Sequence, residues 1–176
     1  MAPKKHVSLI FFRRVGDSQV DDNVEVLLSQ RGAFQYEEPS PKPQSFFRGM
    51  QIFPGGKMED TDKDSWHCAK RELREEGGNR LYNWVKSLLN TDHSRLHLVD
   101  DYCYAIELAQ DELGEFMSLI KLAPEHSSVS WYSLSEVVKF ENLAPYKNGV
   151  PKGIKAIFAD EVEWINKLKM MISGEE

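Results

Sequence analysis

Gly55-Gly56-Lys57-Met58-Glu59, followed through a short acidic segment by Arg71-Glu72-Leu73-Arg74-Glu75-Glu76-Gly77-Gly78, is a stretch whose charges oppose folding unless something binds them. On a helix, Glu72, Glu75 and Glu76 fall at i, i+3 and i+4 and share one face. Like charges at this spacing cost about 0.2–0.5 kcal/mol per pair. The glycine pair after Glu76 places two of them in the last turn, where the helix dipole disfavours negative charge. A hard divalent cation reverses that balance, and Mg²⁺ held by a few carboxylates together with substrate phosphates is the usual case. Taken alone, such a charge run reads as a solvated helix face. That reading leaves the preceding Pro54-Gly55-Gly56 turn and the adjacent Arg71 without a reason.

The acids at alternate positions in Asp60-Thr61-Asp62-Lys63-Asp64 suggest an EF-hand calcium loop. Counting on rejects it, because Ser65 would stand where that loop needs glycine and Arg71 where it needs a bidentate glutamate. Asp64 or Ser65 is instead expected to cap the helix, with Trp66, Ala69 and Leu73 as its buried stripe. The carboxylates then lie roughly 100° around from Leu73, at the edge of the packed face.

These residues resemble the signature of the Nudix hydrolases, G-x5-E-x7-R-E-U-x-E-E-x-G-U, where U is aliphatic. Gly56 matches the first glycine, and Arg71, Glu72, Leu73, Glu75, Glu76 and Gly78 match the second half in register. Asp62 stands at the acidic position, eight rather than seven residues ahead of Arg71, and Asn79 replaces the final aliphatic. We read a one-residue insertion before the helix, which bears on Asp62 and leaves the metal-binding half intact. The resemblance implies an α/β/α sandwich with a mixed central sheet. It implies Mg²⁺, or Mn²⁺, held by Glu72, Glu75, Glu76 and the Gly56 carbonyl, with Arg71 orienting a box carboxylate. In many members a loop acid some six positions before a strand tryptophan reaches the metal. Glu125 precedes Trp131 by that spacing, so it is expected as a further ligand or general base.

The reaction implied is hydrolysis of a phosphoanhydride in a nucleoside diphosphate derivative. A Nudix-like module that binds a nucleotide without cleaving it would be expected to lack box carboxylates, and all three are present. Leu27–Arg31 and Gly49–Gly56 partly resemble the segment ahead of the box in coenzyme A pyrophosphatases. Dinucleoside polyphosphates, ADP-ribose, nucleotide sugars, coenzyme A and capped RNA all remain open as substrates. Family members often dimerise, so a homodimer is one expected assembly.

Composition sets the frame. The 176 residues fit one domain, 1–176, with a single sizeable core. A hydrophobic content of 41% and a charged content of 28% describe a globular chain. The net charge of −6 argues against broad nucleic-acid binding, while a local basic pocket for a phosphorylated small molecule stays compatible. Two distant cysteines without ligand spacing, no apolar run long enough for a membrane and no signal-peptide core point to the cytoplasm.

Along the chain, residues 7–13 and 24–31 read as a hairpin of two strands. Residues 32–45, with Pro39, Pro41 and Pro43, are expected to form an exposed loop, a possible flap carrying Phe34 or Tyr36. Residues 46–53 suggest a third strand and 80–89 a short helix. Residues 95–109 suggest one strand or two broken near Asp100-Asp101, and 111–122 fit either helix or strand. Ser133-Leu134-Ser135-Glu136 has helix-cap character. Residues 152–172 suggest a final amphipathic helix with Ile154, Ile157, Phe158, Ile165, Leu168 and Ile172 on one stripe.

Overall fold

The computed structural model describes residues 5–16, 23–32, 34–35, 42–43, 51–52, 54–121 and 126–174. Strand β1 (His6–Arg14) is its axis, because it is buried on both faces. It forms the expected hairpin with β2 (Val24–Arg31), antiparallel and in register at Arg13↔Glu25, where the two side chains also form an ion pair. A two-residue ladder of β3 (Phe34–Gln35) and β4 (Lys42–Pro43) follows where only loop was expected. Tyr36, and most of the expected strand 46–53, lie outside the described residues; of that strand, β5 (Gln51–Ile52) is seen.

Beyond the hairpin end β1 and β2 diverge, and the segment ending in the glycine turn fills the fork. One edge of β1 is occupied by β8 (Cys103–Leu108), parallel, from Ser8 to Arg13. Its other edge is shared by β2 at residues 12–14 and by β6 (Gly55–Lys57) at residues 6–8. Likewise β2 gives one edge to β9 (His126–Ser133) and shares the other between β1 and β5. Since β1 and β2 are antiparallel to each other, β5 and β6, each antiparallel to its own partner, run in opposite directions. The chain therefore reverses between Ile52 and Gly55, and Leu9 N donates to Pro54 O at 2.8 Å inside the fork. Strand β7 (Leu96–Asp100), antiparallel to β8, closes the far side of this mixed sheet. Residues 95–109 thus form two strands that turn at Asp101-Tyr102.

Alternation along β1 feeds two cores. Leu9 and Phe11 face α1 (Ser65–Thr91) and α2 (Leu113–Leu119), meeting Leu73, Leu81, Val85 and Phe116. Ile10 and Phe12 face α3 (Leu134–Val137) and α4 (Ala159–Ser173), meeting Leu134, Val137, Ile165 and Leu168. The result is the expected α/β/α sandwich. Helix α3 opens with the expected capping box, in which the Ser133 side chain accepts from Glu136 N and Glu136 from Ser133 N.

The final helix departs from expectation. It begins at Ala159, because β10 (Glu141–Asn142) and β11 (Ala156–Ile157) pair in parallel and Gly153 sits at φ 88°. Ile157 is buried in a strand, Ile154 precedes it and Phe158 is the N-cap, so none of the three lies on the helical stripe; Ile165 and Leu168 do.

At Gly55 a Cβ would collide with the Val7 carbonyl oxygen and lie 2.9 Å from Ser8 Cα, so the fork closes only around glycine. Gly55→Ala is expected to destabilise by about 1–3 kcal/mol through overpacking of backbone on backbone. Gly114→Ala, in a helix with open space around it, is expected to stabilise by about 0.5–1 kcal/mol. Urea unfolding of the two variants checks the pair.

Candidate active site

The site grows from the glycine turn and the first half of α1. Asp64 caps that helix, accepting from His67 N at 2.7 Å, and Ser65 Oγ lies 2.7 Å from the Tyr104 hydroxyl on β8. Ala69 and Leu73 are buried as expected, while Trp66 is half-buried and packs at a tilt against Tyr104 with ring centroids 4.9 Å apart. Gly77 is the last residue of this half. Gly78, at φ 82° and ψ 165°, breaks the helical path, and a second helical half runs on to Thr91. That second half covers the expected 80–89 helix and buries Leu81, Val85 and Leu89.

Arg71 is the junction. Its Nε and Nη2 donate to Asp62 Oδ1 and Oδ2 at 3.2 and 3.0 Å, a two-toothed fork on one carboxylate. Nη2 also donates to the Lys57 carbonyl at 3.0 Å, tying the helix to the glycine turn. Nη1 donates to Glu72 Oε1 at 2.7 Å and to Glu75 Oε2 at 3.2 Å. Arg71 thus contacts two box carboxylates, where one was expected.

Asp62 is the residue that sequence reasoning undervalued. Its side chain is 1% exposed, and Oδ2 also accepts from Glu59 N at 2.8 Å within a turn closed by Asp62 N to Glu59 O. Hydrogen bonds from Arg71 hold its carboxyl well below the usual carboxylate range, outweighing burial. The same pairing raises the Arg71 guanidinium further above its ordinary value. A shorter acid one position out of step still reaches the arginine, a geometric fact that spacing along the sequence does not reveal.

The three box glutamates differ in setting. Glu72 is 13% exposed and its carboxylate fills the space a Cβ on Gly56 would need, so Gly56 is glycine because a side chain lies against it. Burial pushes the Glu72 carboxyl up to about 7, opposed by Arg71 and reinforced by the Glu76 charge. Glu76 Oε2 accepts from Gly55 N at 2.9 Å, a second tie between helix and turn. Glu75 is 57% exposed and held by Arg71. The Gly56 carbonyl faces the Cys68 thiol at 3.8 Å, and burial, with the Asp62 charge adding, pushes that thiol up to about 12, so it stays protonated. Glu125 lies outside the described residues.

In donor chemistry this set suits a hard divalent cation. All its ligands are oxygens, and a buried Glu72 beside Glu76 is what a positive ion would relieve. Among the described residues no three acidic, histidine or cysteine side chains converge closely enough to hold an ion, since Arg71 draws Glu72 and Glu75 to itself.

Removing the Asp62 carboxylate leaves Arg71 with only its second-best partners. Asp62→Ala is expected to cost about 2–4 kcal/mol, near the value for breaking a buried pair and softened by Glu72 and Glu75. Glu59→Ala, whose carboxylate is over half exposed and 3.8 Å from Arg71, is expected to change stability by less than about 0.5 kcal/mol. Denaturant titration of both variants checks the contrast.

Comparison with known proteins agrees with this architecture. The NUDIX domain model matches residues 5–152. No curated protein matches the sequence. Among solved structures, a mutT/nudix family protein from Listeria innocua aligns with a TM-score of 0.52 at 14% identity, covering 99% of this chain and 97% of that one. An Ap4A hydrolase from C. elegans, in a binary complex, aligns with a TM-score of 0.47 at 18% identity, covering 97% and 99%. A MutT protein from Methanosarcina mazei aligns with a TM-score of 0.45 at 18% identity, covering 97% of each chain. Identities this low speak to fold alone, and the Listeria structure carries that point. Because the domain match spans the glycine turn, the acidic segment and the whole carboxylate helix, the chain belongs to the NUDIX domain family.

Proposed function

We propose that this chain, acting as one domain over residues 1–176, hydrolyses a phosphoanhydride bond in a nucleoside diphosphate derivative. The carrying observation is that Glu72 is buried against Gly56 and beside Glu76 although its charge opposes burial there. Such an arrangement is a stored demand for positive charge, and perturbed carboxylates of this kind concentrate at functional sites. Glu72, Glu75, Glu76 and the Gly56 carbonyl would hold a divalent ion, Mg²⁺ or Mn²⁺, with Glu125 as a further ligand. When bound, such an ion neutralises phosphate oxygens and lowers the pKa of a bound water.

The chain's own residues contribute position. Asp62 fixes Arg71, Arg71 holds Glu72 and Glu75, and Gly55 N holds Glu76, so a bound ion would take Glu72 and Glu75 over from Arg71. Dinucleoside polyphosphates, ADP-ribose, nucleotide sugars and coenzyme A are the substrate classes that fit this reaction.

One observation favours a second reading, a module that binds a nucleotide without cleaving it: the described carboxylates do not converge as a three-ligand set. A panel of the four substrate classes, incubated with Mg²⁺ or Mn²⁺ and resolved by chromatography, separates the two readings. The hydrolase reading expects cleavage of at least one class, abolished by EDTA and by Glu76→Gln with unchanged circular dichroism. Turnover that survives Glu76→Gln, or no cleavage of any class, contradicts it. Asp62→Asn is expected to lower that turnover by about 10–100-fold, the usual effect of losing a residue that orients metal ligands.

A further inference from the structure

The bend at Gly78 does more than end the carboxylate face. Between the two halves of α1 and strand β1 it leaves a groove of about 200 Å³. Leu9, Leu73, Val85 and Leu89, all buried, give it an apolar floor. Trp66 and Tyr82, both half-buried, add two aromatic rings. Its polar lining is Lys70, Lys86, Asn90 and His93, and none of its lining side chains among the described residues is acidic. On a chain of net charge −6 that is a local inversion of sign. Neither lysine forms an ion pair among the described residues; Lys70 Nζ lies 5.8 Å from the Trp66 ring centroid. Arg74 adds a third cation next to the groove, its guanidinium 4.2 Å from the Tyr82 ring centroid.

Trp66, Lys70 and Leu73 lie roughly 130° around the helix from Glu72, Glu75 and Glu76, at 100° per residue. The groove therefore shares a helix with the carboxylates, and its Trp66 and Lys70 lie on a different face from theirs, with Leu73 between the two. We propose that it is a second ligand site, separate from the carboxylate site, that takes a small phosphate monoester carried on a planar aromatic body. The apolar floor buries a ring, the two aromatic side chains lining the groove add ring contacts to it, and the two lysines lining it supply point charges for a dianion. The volume falls below the roughly 300–1,000 Å³ of pockets that enclose drug-sized ligands, which fits one ring and excludes a dinucleotide.

Phenyl phosphate is the probe, titrated into the uniformly ¹⁵N-labelled full chain and followed by NMR. The expected result is saturable shifts of the Trp66 indole N–H and of the Lys70, Tyr82 and Lys86 amides, with phenol and inorganic phosphate each binding more weakly. The Lys70→Glu/Lys86→Glu double variant is expected to bind at least about tenfold more weakly, a loss of about 1.4 kcal/mol. Lys86→Gln, a change at an exposed position, is expected to weaken binding with the rest of the spectrum unchanged. Glu76→Gln is expected to bind as the parent chain does, whether or not it hydrolyses anything. Shifts confined to residues 54–57 and 71–76, unchanged affinity in the lysine variants, or inorganic phosphate binding as tightly as phenyl phosphate would each overturn the proposal.

Discussion

The bidentate pairing of Arg71 with the buried Asp62 is the contact on which the site depends. Five guanidinium donors in a fixed fork cannot be redistributed without cost. Two are committed to Asp62, one to the Lys57 carbonyl, and the remaining nitrogen orients Glu72 and Glu75. The acidic segment, the glycine turn and the helix are thus three pieces of chain meeting at one side chain. An unpaired guanidinium at 19% exposure would be costly, which makes the arrangement cooperative. Asp62 is needed by Arg71, and through Arg71 by the carboxylates.

The fold supplies what this contact stands on. Strands β1 and β2 pair at their hairpin end and then separate, and the glycine turn sits in the fork against β1. Gly55 is pressed on the Val7 carbonyl and Gly56 on the Glu72 carboxylate, so the turn touches sheet and helix at consecutive residues. On the other side of the helix, Leu73 and Ala69 anchor it to the core, and the Gly78 bend returns the chain over the same sheet face with Leu81, Val85 and Leu89. The carboxylates are held at an edge between these two attachments.

Much of this was legible in the sequence, and the parts that were not share a cause. The i, i+3, i+4 glutamates, the buried stripe of the first half of α1, the strands at both ends of the hairpin and the Ser133 capping box are local patterns, and local patterns can be read from spacing. The place of Asp62 is not legible in the spacing, because it depends on the path of the turn from Glu59 to Asp62, which brings the acid to Arg71. The last helix starts later than its periodicity predicts because Ala156 and Ile157 pair with Glu141 and Asn142, a non-local contact that overrides helical periodicity. The fork between β1 and β2 is likewise tertiary, and no alternation pattern announces it. The Gly56 carbonyl is expected from the resemblance as a metal ligand; what the structure shows at Gly56 is the Glu72 side chain lying where a Cβ would be, a contact that spacing does not announce.

The central claim is that Glu72, buried beside Glu76 and already bonded by Arg71, is a ligand for a divalent cation. Its most direct measurement is the thermal unfolding midpoint of the parent chain and of Glu72→Gln across a Mg²⁺ titration. A ligand bound only by the folded state raises stability by about 2.7 kcal/mol at one hundred times its dissociation constant. The account predicts a midpoint that climbs with Mg²⁺ in the parent chain and stays flat in Glu72→Gln. A flat parent curve, or an equal rise in both proteins, would contradict it.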